Sequence, residues 1–341
     1  MSAAASPPPP DPSVVLDLID AFRRSKTMFA AVSLGIFDRL AAAPGPAEAH
    51  QLRRDDEDLD SLERLLDACV SLGLLLKHDG SAYANTPAAA AYLTRASPLT
   101  MTGYVRYSND VLWQLWSHME DAVREGTHRW KQTFNLDGPL FSAYYQTEER
   151  KREFLLGMHG FGMMTSPSVV TAFDLSRFRR IVDLGGATGH LPMAALERYP
   201  AMEGAVFDLP AVIEVARDFT QGSRVELIAG DFFSDPLPPA DLYALGRILH
   251  DWSEDKIRRL LDKIHAALPA GGGLLIAEKL MNDDLTGPVH VHMQSLNMLI
   301  GTEGRERSFP QYADLLQQAG FTEMQGKVTG KPIDAVLALK R

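Results

Sequence analysis

The chain has 341 residues, of which 45% are hydrophobic and 23% charged, a composition typical of globular proteins. It carries 34 Lys and Arg against 44 Asp and Glu, so its formal charge is −10. With no basic block, this acidic balance excludes nucleic acid and anionic membrane surfaces as expected partners. The single cysteine, Cys69, excludes an intrachain disulfide and a thiolate metal site. The sequence shows neither an apolar run of membrane-spanning length nor a signal peptide, so we expect a cytoplasmic protein of about two domains.

Three regions are predicted from the N-terminal half of the sequence. Residues 1–12 are proline-rich and predict a disordered leader. Residues 13–103 show helical spacing of apolar residues, followed by a turn at Asp79-Gly80 between two short strands, which is typical of a winged helix. The segment that would read DNA, residues 58–73, is acidic and would repel phosphates, so we interpret the region as a dimerisation domain.

The region from residue 104 to residue 177 is helical in pattern and rich in methionine and aromatic residues. Its large side chains are Trp113, Trp116, Tyr144, Tyr145, Phe154, Met158, Phe161, Met163 and Met164. Such a stripe usually forms core, and the alternative is an adaptable wall around a flat apolar ligand. On the second interpretation, Met158 and Phe161 are candidate substrate contacts.

Strands and helices alternate after Phe178. The predicted strands are RRIVDLG, GAVFDLP, RVELIAG, ADLYALG and GLLIAEK. This alternation predicts an α/β fold with an open parallel sheet covered on both faces, of the Rossmann-like kind. Residues 104–341 would then form one cofactor-binding domain that includes the helical segment 104–177.

A glycine-rich turn follows the first predicted strand, in the run Asp183 to His190. Glycines between a strand and a helix allow a ligand to approach the backbone closely, because no Cβ intervenes. The dinucleotide fingerprint G-x-G-x-x-G fails, since Ala187 and His190 stand where glycines are required. The run fits instead the turn D-x-G-G-x-x-G of S-adenosylmethionine-dependent methyltransferases, with Gly185 at the cofactor; a merely structural turn is the alternative.

Acidic residues end the next two strands. Asp208 lies about twenty residues past the first glycine, a position suited to a ribose diol. Gly230, Asp231 and Phe232 end the third strand, where a carboxylate and an aromatic ring would lie beside an adenine. For Asp231 the alternative is a plain helix cap.

The fourth and fifth strands end in His250 and Glu278, respectively. Strands four and five are neighbours in a doubly wound sheet, about 4.8 Å apart, so the two side chains are expected to meet at the ligand-binding edge. A carboxylate bound to one imidazole nitrogen would leave the other free to act as a base. No second histidine lies at metal-ligand spacing, so no metal is expected.

Taken together, these motifs resemble the caffeate/hydroxyindole type of S-adenosylmethionine-dependent O-methyltransferase, along nearly the whole chain. The matching runs are Asp183–Gly189, Asp208, Gly230–Phe233, Arg247–Trp252, Ala277-Glu278, Ser295–Gly304 and Gly304–Arg307, and two of them, Arg247–Trp252 and Ser295–Gly304, are most like the animal acetylserotonin branch and its methyltransferase-domain relative.

The resemblance implies a homodimer whose N-terminal domain completes the partner's pocket, and it implies residue roles. His250 is then the general base, flanked by Glu278 and Glu306. The cofactor contacts it implies are Tyr145, Gly185, Asp208, Gly230, Asp231, Phe232 and Arg247. Asp251 and Asn297 match positions that touch the acceptor, a small aromatic compound with a hydroxyl group, either phenol or hydroxyindole.

Two positions depart from the acetylserotonin branch. Gly301 replaces a glutamine that contacts substrate there, and the region of Phe161-Gly162 lacks a tryptophan. These departures bear on the acceptor and leave methyl transfer untouched. A catalytically idle scaffold or regulatory dimer is the alternative function, and the presence of His250, Glu278 and Glu306 together counts against it.

Overall fold

The computed structural model describes residues 10–136 and 147–341, except for the side chains at 149, 150 and 153. These residues divide into two compact units, the first ending at Asn109 and the second beginning at Asp110. Most of the proposed leader, residues 1–9, lies outside the described residues, as does Tyr145. In the described part of the chain, no helix is both long enough and apolar enough to cross a bilayer.

The first unit consists of helices and a small antiparallel sheet. Its helices are α1 Ser13–Ser33, α2 Ile36–Ala42, α3 Ala49–Leu52, α4 Leu59–Ser71, α5 Pro87–Tyr92 and α6 Thr102–Tyr107, and its strands are β1 Ala47–Glu48, β2 Leu75–His78 and β3 Ala82–Asn85. The strand order is β1-β3-β2. Asp79 and Gly80 turn the chain between β2 and β3 with φ of 48° and 80°, which confirms the predicted hairpin.

The core of the first unit lies among α1, α2, α4 and the small sheet, and includes Phe37, Leu66 and Cys69. The N-terminal part of α1 does not join this core. Its apolar side chains remain exposed, with Val14 at 73% and Leu18 at 68%. A helix with an unburied apolar face generally packs against a further surface.

A π-helical turn, Ser108–Leu112, leads into the second unit. The helices of that unit are α7 Trp113–Trp116, α8 Met119–Glu125, α9 Trp130–Phe134, α10 Glu148–Thr171, α11 His190–Arg198, α12 Pro210–Thr220, α13 Glu254–Ala267, α14 Val289–Gly301 and α15 Phe309–Gln318, with a 3₁₀ turn at Leu249–Asp251. Its strands are β4 Arg180–Leu184, β5 Glu203–Asp208, β6 Val225–Ala229, β7 Leu242–Gly246, β8 Gly273–Glu278, β9 Leu280–Met281, β10 Arg307–Ser308, β11 Thr322–Lys327 and β12 Asp334–Leu339.

The main sheet has the order β11-β12-β8-β7-β4-β5-β6. The five strands β4 to β8 are parallel, as predicted, and are largely buried because helices cover both faces. One face packs on α13 and α15, and the other on α10 and α11. The sheet extends beyond the five predicted strands at one edge, where β11 and β12, which the sequence analysis did not predict, run antiparallel.

The topology brings the predicted functional residues to one edge. β4 lies between β5 and β7, and β7 lies beside β8. The carboxyl ends of these four strands therefore carry the glycine-rich turn, Asp208, the segment beginning at Arg247, and Glu278. In open α/β sheets this edge is where ligands bind.

Candidate active site

The glycine-rich turn after β4 depends on backbone conformations that side chains disfavour. Gly185 and Gly189 have φ of 73° and 78°, in the left-handed region. A Cβ at Gly185 would lie 2.5 Å from Cδ1 of Ile248, so a larger residue would also collide with the neighbouring strand end. Position 185 therefore requires glycine both for its backbone conformation and for the close packing of Ile248 and Phe232 around it.

Asp208 is connected directly to the glycine-rich turn. Its Oδ2 accepts a hydrogen bond of 2.9 Å from the backbone N–H of Ala187, and its Oδ1 accepts one of 2.7 Å from Leu209. Burial raises the pKa of this carboxyl to about 6, although the two N–H groups oppose that effect. Each carboxylate oxygen can accept more than one hydrogen bond, so the contacts leave capacity for a hydroxyl ligand.

Gly230 and the loop of residues 231–235 lie next to the glycine-rich turn. The N–H of Gly230 donates to the carbonyl of Asp208 at 2.9 Å, and a ring carbon of Phe232 lies 3.2 Å from the Cβ position at Gly185. Oδ1 of Asp231 accepts from the N–H of Phe233 at 2.8 Å, a local turn-stabilising bond of the kind expected for a capping residue. The loop therefore lies against both Asp208 and the glycine-rich turn.

Arg247, a predicted cofactor contact, lies against Met158 and Phe161, which are predicted substrate contacts. Its backbone lies in the left-handed region with φ of 57°, and its N–H donates to the carbonyl of Ala277 at 2.9 Å. The guanidinium is 3.2 Å from the sulfur of Met158 and 4.9 Å above the ring of Phe161. Its buried Nε has no hydrogen-bond partner among the described residues. Buried polar groups usually have a partner, so this donor is available to a ligand or an ordered water.

His250 lies between two buried carboxylates. Its Nδ1 is 2.7 Å from Oε1 of Glu306 and 3.2 Å from Oε2 of Glu278. The other oxygen of Glu278 accepts the N–H groups of Ile248, Leu249 and His250, at 3.0, 2.9 and 3.4 Å. Glu278 thus holds the start of the 3₁₀ turn, whereas Glu306 makes the shorter contact with the imidazole.

The second imidazole nitrogen, Nε2, makes no hydrogen bond to the part of the chain that the structure describes. Its separation from Oδ1 of Asp251 is 3.7 Å, beyond hydrogen-bonding distance. Burial alone lowers the pKa of His250, but the charges of Glu278, Glu306 and Asp251 outweigh it and raise the pKa to about 9. Burial also raises the pKa of Asp251, to about 6. The arrangement is that of a strong base with one nitrogen anchored and the other available.

His250, Glu278 and Glu306 are close enough together to be considered as ligands of one metal ion. Ligand atoms of His250, Glu278 and Glu306 all lie within 4.8 Å of one another. Two ligands about 2.0–2.1 Å from one tetrahedral Zn²⁺ would, however, be about 3.3 Å apart. The 2.7 Å between His250 and Glu306 is shorter, and it matches a charge-assisted hydrogen bond.

The remaining predicted acceptor residue, Asn297, lies on α14. Its Oδ1 accepts a 3.0 Å hydrogen bond from the indole N–H of Trp116. Because indole is a donor only, this bond turns the amide NH₂ of Asn297 away from Trp116. A second tryptophan, Trp130, donates to the carbonyl of Gly301, one turn further along the helix, at 2.8 Å. Sequence reasoning identified Trp116 only as part of an aromatic stripe.

Helix α10 packs on the glycine-rich turn through contacts that the sequence did not indicate. His159 is 2.9 Å from the hydroxyl of Thr188, and Ser166 is 2.8 Å from Nδ1 of His190. The ring of His190 fills the space in front of Gly162, where a side chain would overlap it. A side chain at position 162 would therefore require the ring of His190 to move.

Comparison with known proteins bears on both units. Residues 116–322 match a model of the O-methyltransferase domain, and residues 16–95 match a model of the O-methyltransferase dimerisation domain. Acetylserotonin O-methyltransferase of Gallus gallus is 40% identical over 337 residues, which cover 96% of this chain and 97% of that protein.

Two human proteins are also similar. A probable bifunctional dTTP/UTP pyrophosphatase/methyltransferase protein is 40% identical over 97% of this chain, which spans 54% of that longer protein. The crystal structure of human N-acetylserotonin methyltransferase in complex with SAM superimposes with a TM-score of 0.93 at 39% identity, over 99% of each chain.

Proposed function

The chain belongs to the S-adenosylmethionine-dependent O-methyltransferases, and from that premise we propose that His250 is the base that prepares its acceptor hydroxyl. The observation that supports this role most strongly is the anchored Nδ1 and unbonded Nε2 of His250, at the carboxyl edge of the sheet. S-adenosylmethionine supplies a methyl group already activated by its positive sulfonium. The protein therefore has to hold both reactants and remove one proton.

The residues at the carboxyl edge of the sheet suit the methyl donor, S-adenosylmethionine. The glycine-rich turn at Gly185 adopts a left-handed backbone at the carboxyl end of β4, and the carboxylate of Asp208 beside it suits a ribose diol. The unpaired Nε of Arg247 can donate a hydrogen bond to an oxygen or nitrogen of the ligand. Gly230, Asp231 and Phe232 form the neighbouring wall in this proposal. Tyr145 remains a predicted contact of S-adenosylmethionine.

The pKa of His250 decides whether it is strong enough for the task. A phenolic hydroxyl has a pKa of about 10 and an ordinary histidine about 6.5, so proton transfer would cost ~5 kcal/mol. With the pKa of His250 raised to about 9, close to that of the phenol, most of this cost is removed. Glu306 and Glu278 supply the negative charge that makes this difference.

The decisive experiment uses His250→Gln. We expect kcat to fall by about 10²–10⁴-fold, the usual contribution of a general base. The Kd for S-adenosylmethionine, measured by calorimetry, should stay close to that of the wild type, whereas Asp208→Ala should raise it. Near wild-type turnover in His250→Gln would remove His250 as the base.

For the acceptor we propose a hydroxyindole or a related flat phenol. The similarity to acetylserotonin O-methyltransferases supports this class, and Met158 and Phe161 beside Arg247 provide apolar surface for a flat ring. Gly301 and the filled space at Gly162 are reasons to test N-acetylserotonin alongside simpler indoles and phenols. Release of S-adenosylhomocysteine across such a panel identifies the acceptor, and no release with any member would favour an idle scaffold.

We also propose that the chain is a homodimer joined partly through α1. The exposed apolar residues Val14, Leu18 and Phe22 lie at four-residue spacing along one side of this helix, within the region that matches the dimerisation domain. Leu18→Asp should shift the mass measured by light scattering from two chains toward one. Arg23→Asp, at an exposed position on the other side of the same helix, is the control.

A further inference from the structure

Lys263, on α13, lies behind the loop of residues 231–235. Its ammonium donates hydrogen bonds to three backbone carbonyls of this loop, those of Phe232 at 2.8 Å, Phe233 at 3.2 Å and Asp235 at 2.5 Å. An ammonium has three donors, so these three contacts use its full capacity. Charge-assisted bonds of this kind are stronger than those between neutral groups.

The loop is also held by the packing of Phe232 and Phe233 on the core and by the ring of Phe233 against Trp252. It contains no regular helix or strand, and its internal bonds are short-range ones centred on Asp231 and Asp235. The ring of Phe232 nevertheless has to lie against Gly185, and Gly230 has to reach the carbonyl of Asp208. Without the ammonium, these three carbonyl groups lose the charged donor that they share, and the backbone around Phe232 is less restrained.

We propose that Lys263 is a positioning residue that holds the 231–235 loop in the conformation able to bind S-adenosylmethionine. This inference rests on the donor site proposed above. Lys263 acts through the backbone and contacts neither reactant in this proposal. Its loss would lower the fraction of protein in the binding-competent state, and the apparent Kd rises in inverse proportion to that fraction.

The test compares Lys263→Met with Arg259→Met, an exposed position one turn earlier on α13. We expect Lys263→Met to raise the Kd for S-adenosylmethionine and S-adenosylhomocysteine by about tenfold, with kcat at saturating donor and KM for the acceptor within about twofold. Arg259→Met should leave both Kd values, kcat and the KM for the acceptor unchanged. A merely structural role would lower the melting temperature and leave the Kd, measured well below it, as in the wild type.

Chemical rescue makes the experiment specific for the ammonium. Lys263→Cys should bind the donor as weakly as Lys263→Met, and alkylation with 2-bromoethylamine should restore binding by rebuilding a lysine analogue. The native Cys69 is fully buried and burial raises its pKa to about 11, so it should not react. Asp208→Ala separates the two possible failures. If it weakens binding and Lys263→Met does not, the role of Lys263 is wrong; if neither weakens binding, the donor site is wrong.

Discussion

The imidazole of His250 and the carboxylate of Glu306 are 2.7 Å apart, and both side chains are buried. Glu278 lies 3.2 Å from the same nitrogen, but one of its oxygens accepts backbone N–H groups of the 3₁₀ turn. One N–H on Nδ1 can be donated fully to only one acceptor. We therefore assign Glu306 to the orientation of the imidazole and Glu278 mainly to the support of the turn that carries it.

This division predicts different effects for substitution of the two acids. Glu306→Gln should lower kcat by about 10²–10⁴-fold, because the amide no longer stabilises the imidazolium, with little change in melting temperature. Glu278→Ala should lower the free energy of unfolding by about 1–3 kcal/mol for each buried N–H that it leaves unpaired.

Steady-state kinetics and denaturant unfolding on the same preparations separate these effects. Glu278→Gln is the matched control, since its amide oxygen can still accept the backbone N–H groups. Equal losses of stability in Glu306→Gln and Glu278→Ala would contradict the assignment.

The pKa of His250 predicts the direction of the pH profile. The base must be neutral to accept a proton, and its pKa in the free protein is raised to about 9. Below that pH, kcat/KM should therefore rise about tenfold per pH unit as His250 loses its proton. In Glu306→Gln the loss of a negative charge lowers the pKa of His250, so the acidic limb should move to lower pH while the maximal rate falls. A limb that stays in place, or moves upward, would show that another group titrates.

Much of the second unit follows from local patterns in the sequence, but the edge of the main sheet formed by β11 and β12 does not. The parallel strands include short buried apolar runs, such as β7 at Leu242–Gly246. An apolar run of this length can be recognised in the sequence as a buried strand. The edge strand β11, Thr322–Lys327, is mostly polar and partly exposed, so it carries no such signal. Its pairing with β12 depends on contacts across the sheet.

In the candidate site too, local sequence patterns predict some residues and not others. Gly185, Asp208, His250 and Glu278 each end or follow a strand, so topology alone brings them to one edge. Glu306 comes after α14 and was assigned through family resemblance, because nothing local indicates that its carboxylate reaches Nδ1 of His250. Contacts over long sequence separations, such as Trp116 with Asn297, have no local signature at all.

Chelation should not affect the reaction. Two of the three side chains that meet the distance criterion for a metal are joined by a bond too short for two ligands of one ion. We expect the rate to be unchanged after dialysis against EDTA, and unchanged again on addition of Zn²⁺ or Mg²⁺. The measurement is the initial rate, with metal content determined on the dialysed protein. A loss of activity that one metal restores would overturn this expectation.

The hydrogen bond from Trp116 predicts how the acceptor is recognised. Because the indole N–H fixes Oδ1 of Asn297, the amide NH₂ is left as a donor for a carbonyl or ether oxygen of the acceptor. Trp116→Phe keeps the aromatic volume and removes only the donor. We expect the KM for the acceptor to rise about three- to tenfold, with kcat and the Kd for S-adenosylmethionine little changed, since one hydrogen bond contributes about 0.5–1.5 kcal/mol.

A double-mutant cycle with Asn297→Ala isolates this effect from general damage to the aromatic cluster around Trp116. If Trp116 acts through Asn297, adding Trp116→Phe to Asn297→Ala should change the KM no further, because the amide that it orients is gone. If the effects of the two substitutions on the KM multiply, Trp116 acts independently of Asn297. The acceptor would then be held by the shape of the aromatic wall rather than by the oriented amide.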